Sequence, residues 1–432
     1  MPQAPPNIIY IHSHDTGRAI QPYGHACATP HLMRLAEAGV LFRRAFCAAP
    51  TCSPSRAALL TGQSAHQAGM LGLTHRGFGL YDYTQHIVHA LRRAGYTSAL
   101  SGVQHIARDP EQIGYDRVLG RDQAERRAAD WLTSGEAKEP FFLAVGFGET
   151  HRVAGPHRGF HPESPQGEAR HVRVPAVHPD TPTVRADWAD FYACAARLDA
   201  KIGTVLAALE AAGLSERTLV VYTTDHGPAF PEMKCNLTDH GTGVALIMRG
   251  PGFTGGKTVD AMVSHLDLYP TWCELAGVAK PAWSSGEPLL PLARGERDTL
   301  HDAVFAEVSH HAAYEPMRAV RTERWKYIRR FGDRRRRVLP NCDDGFTKTY
   351  LLEHGWADEP VPEEALYDLA LDPAERVNRA GDPALAATLA ELRGRLEAWM
   401  HTTDDPLLAG PIPVPPGGRT TDPDAISPDG RR

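Results

Sequence analysis

Four places in the chain bring together side chains that can do chemistry. Three are short polar turns: SHDTG with His14 and Asp15, GETHR with His151, and TDHG with Asp225 and His226. One such His or Asp alone reads as a helix N-cap or a satisfied loop side chain. Two pairs, His14-Asp15 and Asp225-His226, suit a divalent cation that could hold an anionic substrate oxygen and polarise it. The fourth place is APTCSPSRAALLTGQ, which carries Cys52. Pro54 fits a first helical turn, so Cys52 is expected at a helix N-terminus, where free N–H groups and the macrodipole favour anions. Arg56 then falls one turn later on the same face.

The three polar turns directly follow apolar runs: NIIYIH (7–12), FFLAVGF (141–147) and TLVVYT (218–223). With VALIM (244–248), these runs read as parallel strands buried on both faces. In open α/β sheets ligands bind beyond the carboxyl ends of strands, so the turns are expected to build one site. Helices are expected over 31–38, after Thr29-Pro30 and closed by Gly39, and over 187–212, closed by Gly213. Alternating strands and helices define an α/β fold.

Around 280–300 the text turns to Pro, Gly and charge, which reads as a connection. The expected division is a catalytic domain over 1–298, a small α+β subdomain over 299–400 and a Pro/Gly-rich tail over 401–432. AVFAEV, MRAVRTERWKYIRRF and EALYDLA alternate like antiparallel strands, followed by a helix over 382–400. IRRFGDRRRRV reads as a hairpin turn carrying solvated arginines rather than a polyanion site. His310-His311 belongs either to the site or to a surface loop, and the tail is expected to wrap the surface and carry little function. Loops 75–85, 152–185 and 301–316 are expected to shape the pocket.

Composition narrows the class. In 432 residues, 42% hydrophobic and 23% charged leave room for a full core and exclude disorder or a coiled coil. Lys and Arg number 46 against 52 Asp and Glu, a net charge of −6 that gives no basic field for nucleic acid or an anionic membrane. No apolar run approaches the ~20 residues of a membrane span. The opening MPQAPPNIIYIH has no basic n-region and no long apolar stretch, so a cytoplasmic address is expected. Seven scattered cysteines give neither a disulfide framework nor a CxxC zinc pattern, and reduced thiols are expected.

The string C-x-P-S-R-x-x-x-x-T-G, complete from Cys52 to Gly62, resembles the signature of the type I sulfatases of the alkaline phosphatase superfamily. The resemblance runs through nearly the whole chain and is closest to the sulfamidase branch. TPHLMRLAEAGVLFRRAF before the signature, HQAGMLGL after it, the helix ending LDAKIGTVLAALEAAG and the closing LYDLALDPAERVNRA carry it. It implies an alkaline-phosphatase-like, mostly parallel sheet flanked by helices, with a small α+β C-terminal subdomain.

It also implies that Cys52 is converted by a formylglycine-generating enzyme to Cα-formylglycine. One hydroxyl of the hydrated aldehyde would attack sulfur, and the other, once deprotonated, would expel sulfate and regenerate the aldehyde. Carried over by position, His14, Asp15, Asp225, His226 and the oxygen of modified Cys52 would bind one divalent metal, calcium by the resemblance. Arg56 would stabilise the hydrate. His105 in SGVQHI and His151 would bind sulfate and handle protons, and Lys234 in PEMKCNL falls on a cationic sulfate-binding position. The implied substrate is a sulfate ester or sulfamate on a saccharide such as N-sulfoglucosamine. The rival readings are a phosphonate or phosphate monoester hydrolase and an inactive homologue that binds sulfated ligands. Oligomeric state is left open.

Two positions depart from the pattern. His14 stands where the family has a carboxylate, and two imidazoles move preference from calcium toward Mn²⁺, Zn²⁺ or Fe²⁺. Val103 stands where the family pattern GKxH has lysine, with Gln104, Lys234 or Arg76 as candidate replacements.

Overall fold

The computed structural model describes residues 4–153, 159–160 and 167–430. A central sheet is built from β1 (Asn7–Ser13), β2 (Val40–Phe46), β3 (Thr97–Gly102), β4 (Arg117–Gly120), β5 (Phe141–Gly146), β6 (Thr218–Thr224), β7 (Gly243–Val244), β8 (Leu246–Arg249) and β9 (Lys257–Ser264). Its order is β4-β3-β5-β1-β6-β8-β2-β7, with β9 paired to β2. Every residue of β1 is buried. Ile8 and Tyr10 pack with Phe42, Leu59 and Trp272 on one face, Ile9 and Ile11 with Trp131, Leu198 and Ile202 on the other. Burial on both faces is why the run is continuously apolar.

β1 runs parallel to both β5 and β6, in a register that sets His12 against Gly146 and Ser13 against Thr224. The three polar turns therefore leave the sheet at one edge. VALIM departs from the expectation: it splits into β7 and β8, antiparallel to β2 and to β2 and β6 respectively. Between β6 and β8 the only α-helix is the single turn Asp239–Thr242, so no crossover carries the chain back to run parallel.

Helix Pro30–Ala38 starts with its proline, as expected. The long helix Pro182–Ala211 begins earlier than expected, because the Thr181 side chain accepts from the Val184 N–H and Pro182 occupies the first turn. Helix Cys52–Thr61 is buried at every residue and ends at Gly62 in the left-handed conformation.

A second, antiparallel sheet follows: β10 (Ala303–His310), β11 (Tyr314–Thr322), β12 (Trp325–Arg330) and β13 (Glu364–Asp368), in that order. Leu389, Leu392, Leu396 and Met400 of helix Ala386–Thr402 cover Val320, Tyr327 and Leu366 on one face. Val308, Met317 and Ile328 on the other face pack on Leu237 from the loop after β6. The tight hairpin lies between Arg321 and Lys326, not at Phe331-Gly332-Asp333. After β12 the arginines reach different acidic partners, Arg334 to Asp424, Arg335 to Glu363 and Arg337 to Glu359, rather than standing solvated on a turn. Among the described residues no helix is long and apolar enough to cross a membrane.

Candidate active site

The ends of β1, β5 and β6 meet the N-terminus of helix Cys52–Thr61. Asp15 holds a left-handed backbone (φ +49°), which aspartate tolerates better than most residues, and its N–H donates to Asp225 Oδ1 at 2.8 Å. Two residues on, Gly17 is also left-handed, and a Cβ there would lie 2.6 Å from Pro228 Cδ. The turn after β1 thus requires its glycine.

Around Cys52 Sγ lie His226 Nε2 at 3.4 Å and Asp15 Oδ1 at 3.9 Å. His226 Nε2 is 3.3 Å from Asp15 Oδ1 and 3.7 Å from Asp225 Oδ2, and His14 Nδ1 is 3.1 Å from Asp225 Oδ2. Ligand atoms of Asp15, Cys52, Asp225 and His226 all lie within 4.8 Å of one another, as do those of His14, Asp15, Cys52 and His151. His14 Nδ1 is enclosed and faces the Asp225 carboxylate. Two carboxylates and convergent imidazoles whose ligand atoms lie this close together fit a divalent cation.

Two permanent cations flank the cluster. Arg56 donates from Nη2 to Asp225 Oδ2 (2.9 Å) and to the Ser13 carbonyl (3.0 Å), and contacts the His12 ring through Nη1. Its hydrogen bonds orient Asp225 and the end of β1. Lys234 Nζ donates to Asp15 Oδ2 at 3.0 Å and pairs with Asp343 at 2.8 Å. The remaining predicted residues border this core. His151 is part-exposed with Nε2 3.9 Å from Asp15 Oδ2, and its ring meets His14 edge-on. His105 lies 5.6 Å from the His14 ring, holds a left-handed backbone (φ +59°) and has an enclosed, unpartnered Nδ1.

The electrostatics follow from this crowding. Burial pushes the Cys52 thiol well above its ordinary value, with Asp15 and Asp225 adding to the shift against Lys234. Burial, then Arg56, lowers His14 to about 4. Burial, then His14 and Arg56, holds His105 well below the usual imidazole range. Burial would raise Asp225, but His226 and Arg56 outweigh it and keep the carboxyl well below its ordinary value. Burial would lower Lys234, but Asp15 and Asp343 hold it well above.

Sequence reasoning missed three participants. Asp343, from the segment after β12, is the second partner of Lys234; nothing local marks it. His75 Nδ1 lies 3.2 Å from His105 Nε2, with the two rings stacked. His12 is the residue of β1 against Arg56. His311 is buried, with Lys234, Asp343, His226 and Arg76 near it. Of the candidates for the missing lysine, Gln104 folds back on Ile106 and Ala107. Arg76 donates to Ala312 O, Thr421 Oγ1 and Pro428 O. The loop 75–85 therefore does reach the site; of the loop 152–185, residues 154–158 and 161–166 lie outside the described residues.

A cluster at strand ends that could hold a metal ion, with a helix-borne side chain among the candidate ligands, suits an α/β hydrolase. Residues 6–278 match the Sulfatase family and residues 234–343 the family of the N-sulphoglucosamine sulphohydrolase C-terminal region. The chain belongs to the sulfatase family and is an enzyme of that class. It is 31% identical to human N-sulphoglucosamine sulphohydrolase, over 94% of this chain and 92% of the relative. It is 28% identical to a Delta 4,5-hexuronate-2-O-sulfatase of Bacteroides thetaiotaomicron, over 93% and 90%. Among solved structures, a 2-O GAG sulfatase superposes with a TM-score of 0.72 at 23% identity, covering 94% of each chain. A second, solved with its substrate D-glucosamine-2-N,6-O-disulfate, gives 0.67 at 19% identity over 93% and 98%. These similarities favour the sulfatase reading over a phosphonate or phosphate hydrolase and over an inactive homologue.

Proposed function

We propose that this sulfatase hydrolyses the sulfamate of an N-sulfated glucosamine, using formylglycine formed from Cys52 by a formylglycine-generating enzyme. The observation that carries it is the similarity to a sulphoglucosamine sulphohydrolase over nearly the full length of both chains, with the complete C-x-P-S-R-x-x-x-x-T-G string at the centre of the site. Formylglycine would supply an oxygen nucleophile, and the metal would neutralise charge on the transferring group.

His14, Asp15, Asp225 and His226 would hold the metal together with the side chain at position 52. Two imidazoles beside two carboxylates favour Mn²⁺, Zn²⁺ or Fe²⁺ over the calcium that the family resemblance implies. Arg56 keeps Asp225 aimed into the cluster. Lys234, steadied by Asp15 and Asp343, binds a sulfate oxygen. His151, part-exposed at the mouth, carries the proton to the leaving nitrogen, and His105, tied to His75, orients the sulfate. A cytoplasmic address belongs to the same proposal, supported by the six other cysteines, none of which is paired with another.

The test is release of inorganic sulfate from glucosamine N-sulfate by protein co-produced with the maturation enzyme, with Cys52→Ala as blank. Release that depends on Cys52 is the expected result. Release from O-sulfates alone would return the enzyme to ester substrates.

A further inference from the structure

Residues 411–428 lie beyond both family matches, yet they close over two loops that border the site. On one side, the Arg419 N–H donates to the Arg76 carbonyl at 2.9 Å, and Arg76 returns hydrogen bonds to Thr421 Oγ1 and Pro428 O. Gly77 is left-handed (φ +105°), and a Cβ on it would lie 2.6 Å from Gly418 Cα, so the strap and the loop meet backbone to backbone. On the other side, the Thr421 N–H donates to Ala312 O, and His310 Nε2 contacts Ile412 O at 3.1 Å. The loops held in this way carry His75, which is stacked on His105, and His311, which is buried with an unpartnered Nδ1.

The strap also brings a charge. Arg419 is exposed, and among the described residues its guanidinium has no ion pair or hydrogen bond. Arg76, beside it, is committed to backbone and hydroxyl acceptors. Arg419 is close enough to help, after burial and Arg76, to push His75 below its ordinary value. The sulfate that is cleaved already has Lys234 and the metal ligands. An unpaired guanidinium at the rim is surplus to that task and matches the planar, bidentate geometry of a further carboxylate or sulfate.

We propose that the C-terminal strap is one wall of the substrate pocket and that Arg419 is a specificity-determining residue, which binds a second anionic group on the saccharide. The group is a second sulfate on the same sugar or the carboxylate of a neighbouring uronic acid. This rests on the sulfated-saccharide reading above.

The experiment uses the full, matured chain and three substrates: glucosamine N-sulfate, glucosamine N,6-disulfate, and an N-sulfoglucosaminyl-uronate disaccharide. Arg419→Gln keeps the backbone N–H that holds the strap. It should raise KM about three- to tenfold for the disulfate, the disaccharide or both, with kcat within twofold and glucosamine N-sulfate unaffected. Arg419→Lys should recover part of the loss, and high salt should shrink the difference between the wild type and Arg419→Gln. The two anionic substrates separate sulfate from carboxylate recognition. An equal change on all three substrates, or no change on any, would overturn the assignment. Should the wild type release no sulfate from any of them, the substrate reading fails. The Arg419 assignment is then read from the binding of the same three sugars to Cys52→Ala, with and without Arg419→Gln. Weakening confined to the two-anion sugars supports it; equal binding, or no binding, overturns it.

Discussion

Two of the buried clusters of ionisable side chains differ in how their charges are answered. Beneath the second sheet, Glu307 pairs with His66 at 3.0 Å, and Arg318 pairs with Asp405 at 2.5 Å and lies 3.6 Å from Glu307. Two acids face two bases. At the strand ends, three carboxylates, Asp15, Asp225 and Asp343, face two permanent cations, Lys234 and Arg56. Burial alone does not separate a functional cluster from a structural one. The difference lies in whether the charges close on themselves or leave a deficit that an added cation and an anionic substrate would fill.

Substitutions should drive the two clusters apart. Cys52→Ala should abolish sulfate release while leaving the thermal midpoint nearly unchanged, since it removes one buried sulfur from an otherwise intact helix; retained turnover would falsify the formylglycine proposal. Stripping the metal with a chelator should also abolish turnover, with activity returning on Mn²⁺, Zn²⁺ or Fe²⁺ and not on Ca²⁺. Stoichiometric calcium in the purified protein would argue against that ligand reading. Lys234→Ala should lower kcat/KM about 10²–10³-fold, as loss of a charge aimed at the transferring group does. An unchanged kcat/KM would remove Lys234 from the chemistry.

The paired cluster should answer in the opposite currency. Glu307→Gln should cost about 3 kcal/mol of stability, read by denaturant unfolding, because it leaves Arg318 and His66 with one acid fewer in a buried site. Per folded molecule, kcat/KM should stay within about twofold, the outcome that separates the clusters. The smallest effect is a pH signature. Burial would raise Glu307, but His66 and Arg318 outweigh it and lower it to about 2, so its contribution is present above the ordinary value of 4.5 and fades as pH falls toward 2. Burial would lower His66, but Glu307 outweighs it and raises the ring above 6.5, so its contribution is present below 6.5 and fades as pH climbs through the raised value. The stability difference between the wild type and Glu307→Gln should therefore peak between about pH 4.5 and 6.5. A flat difference across this range would show that the pair is not charged in the native state.

The sequence made legible what is local. His14, Asp15, His151, Asp225 and His226 stand directly after apolar runs, and a parallel register then carries them to one edge. Cys52 and Arg56 are legible from helix-start chemistry. His105 and Lys234 needed a family resemblance: His105 follows β3, but TSALSG is not a continuous apolar run that reads as a strand, and Lys234 lies ten residues beyond the end of β6. Asp343, His75 and Arg419 were not legible: each reaches the site through a contact between segments distant in the chain. The direction of VALIM was missed for a related reason. An apolar run reports burial, whereas parallel or antiparallel pairing is decided by the connection before it. The arginine run misled because charge without acidic partners in view reads as solvated, and its partners lie elsewhere, at Asp424, Glu363 and Glu359.

The loop after β6 has a consequence for assembly. It begins with Asp225 and His226, passes through Lys234, and is anchored at Asp239 by Arg321 and Lys326 of the second sheet. During synthesis, the first carboxylate, Asp15, emerges long before the strands that anchor this loop and before Asp343, which steadies Lys234. Catalytic competence is therefore a late event in the life of the chain and reports on docking of the second sheet as much as on the strand ends. Recovery of activity during refolding should lag behind formation of the central sheet.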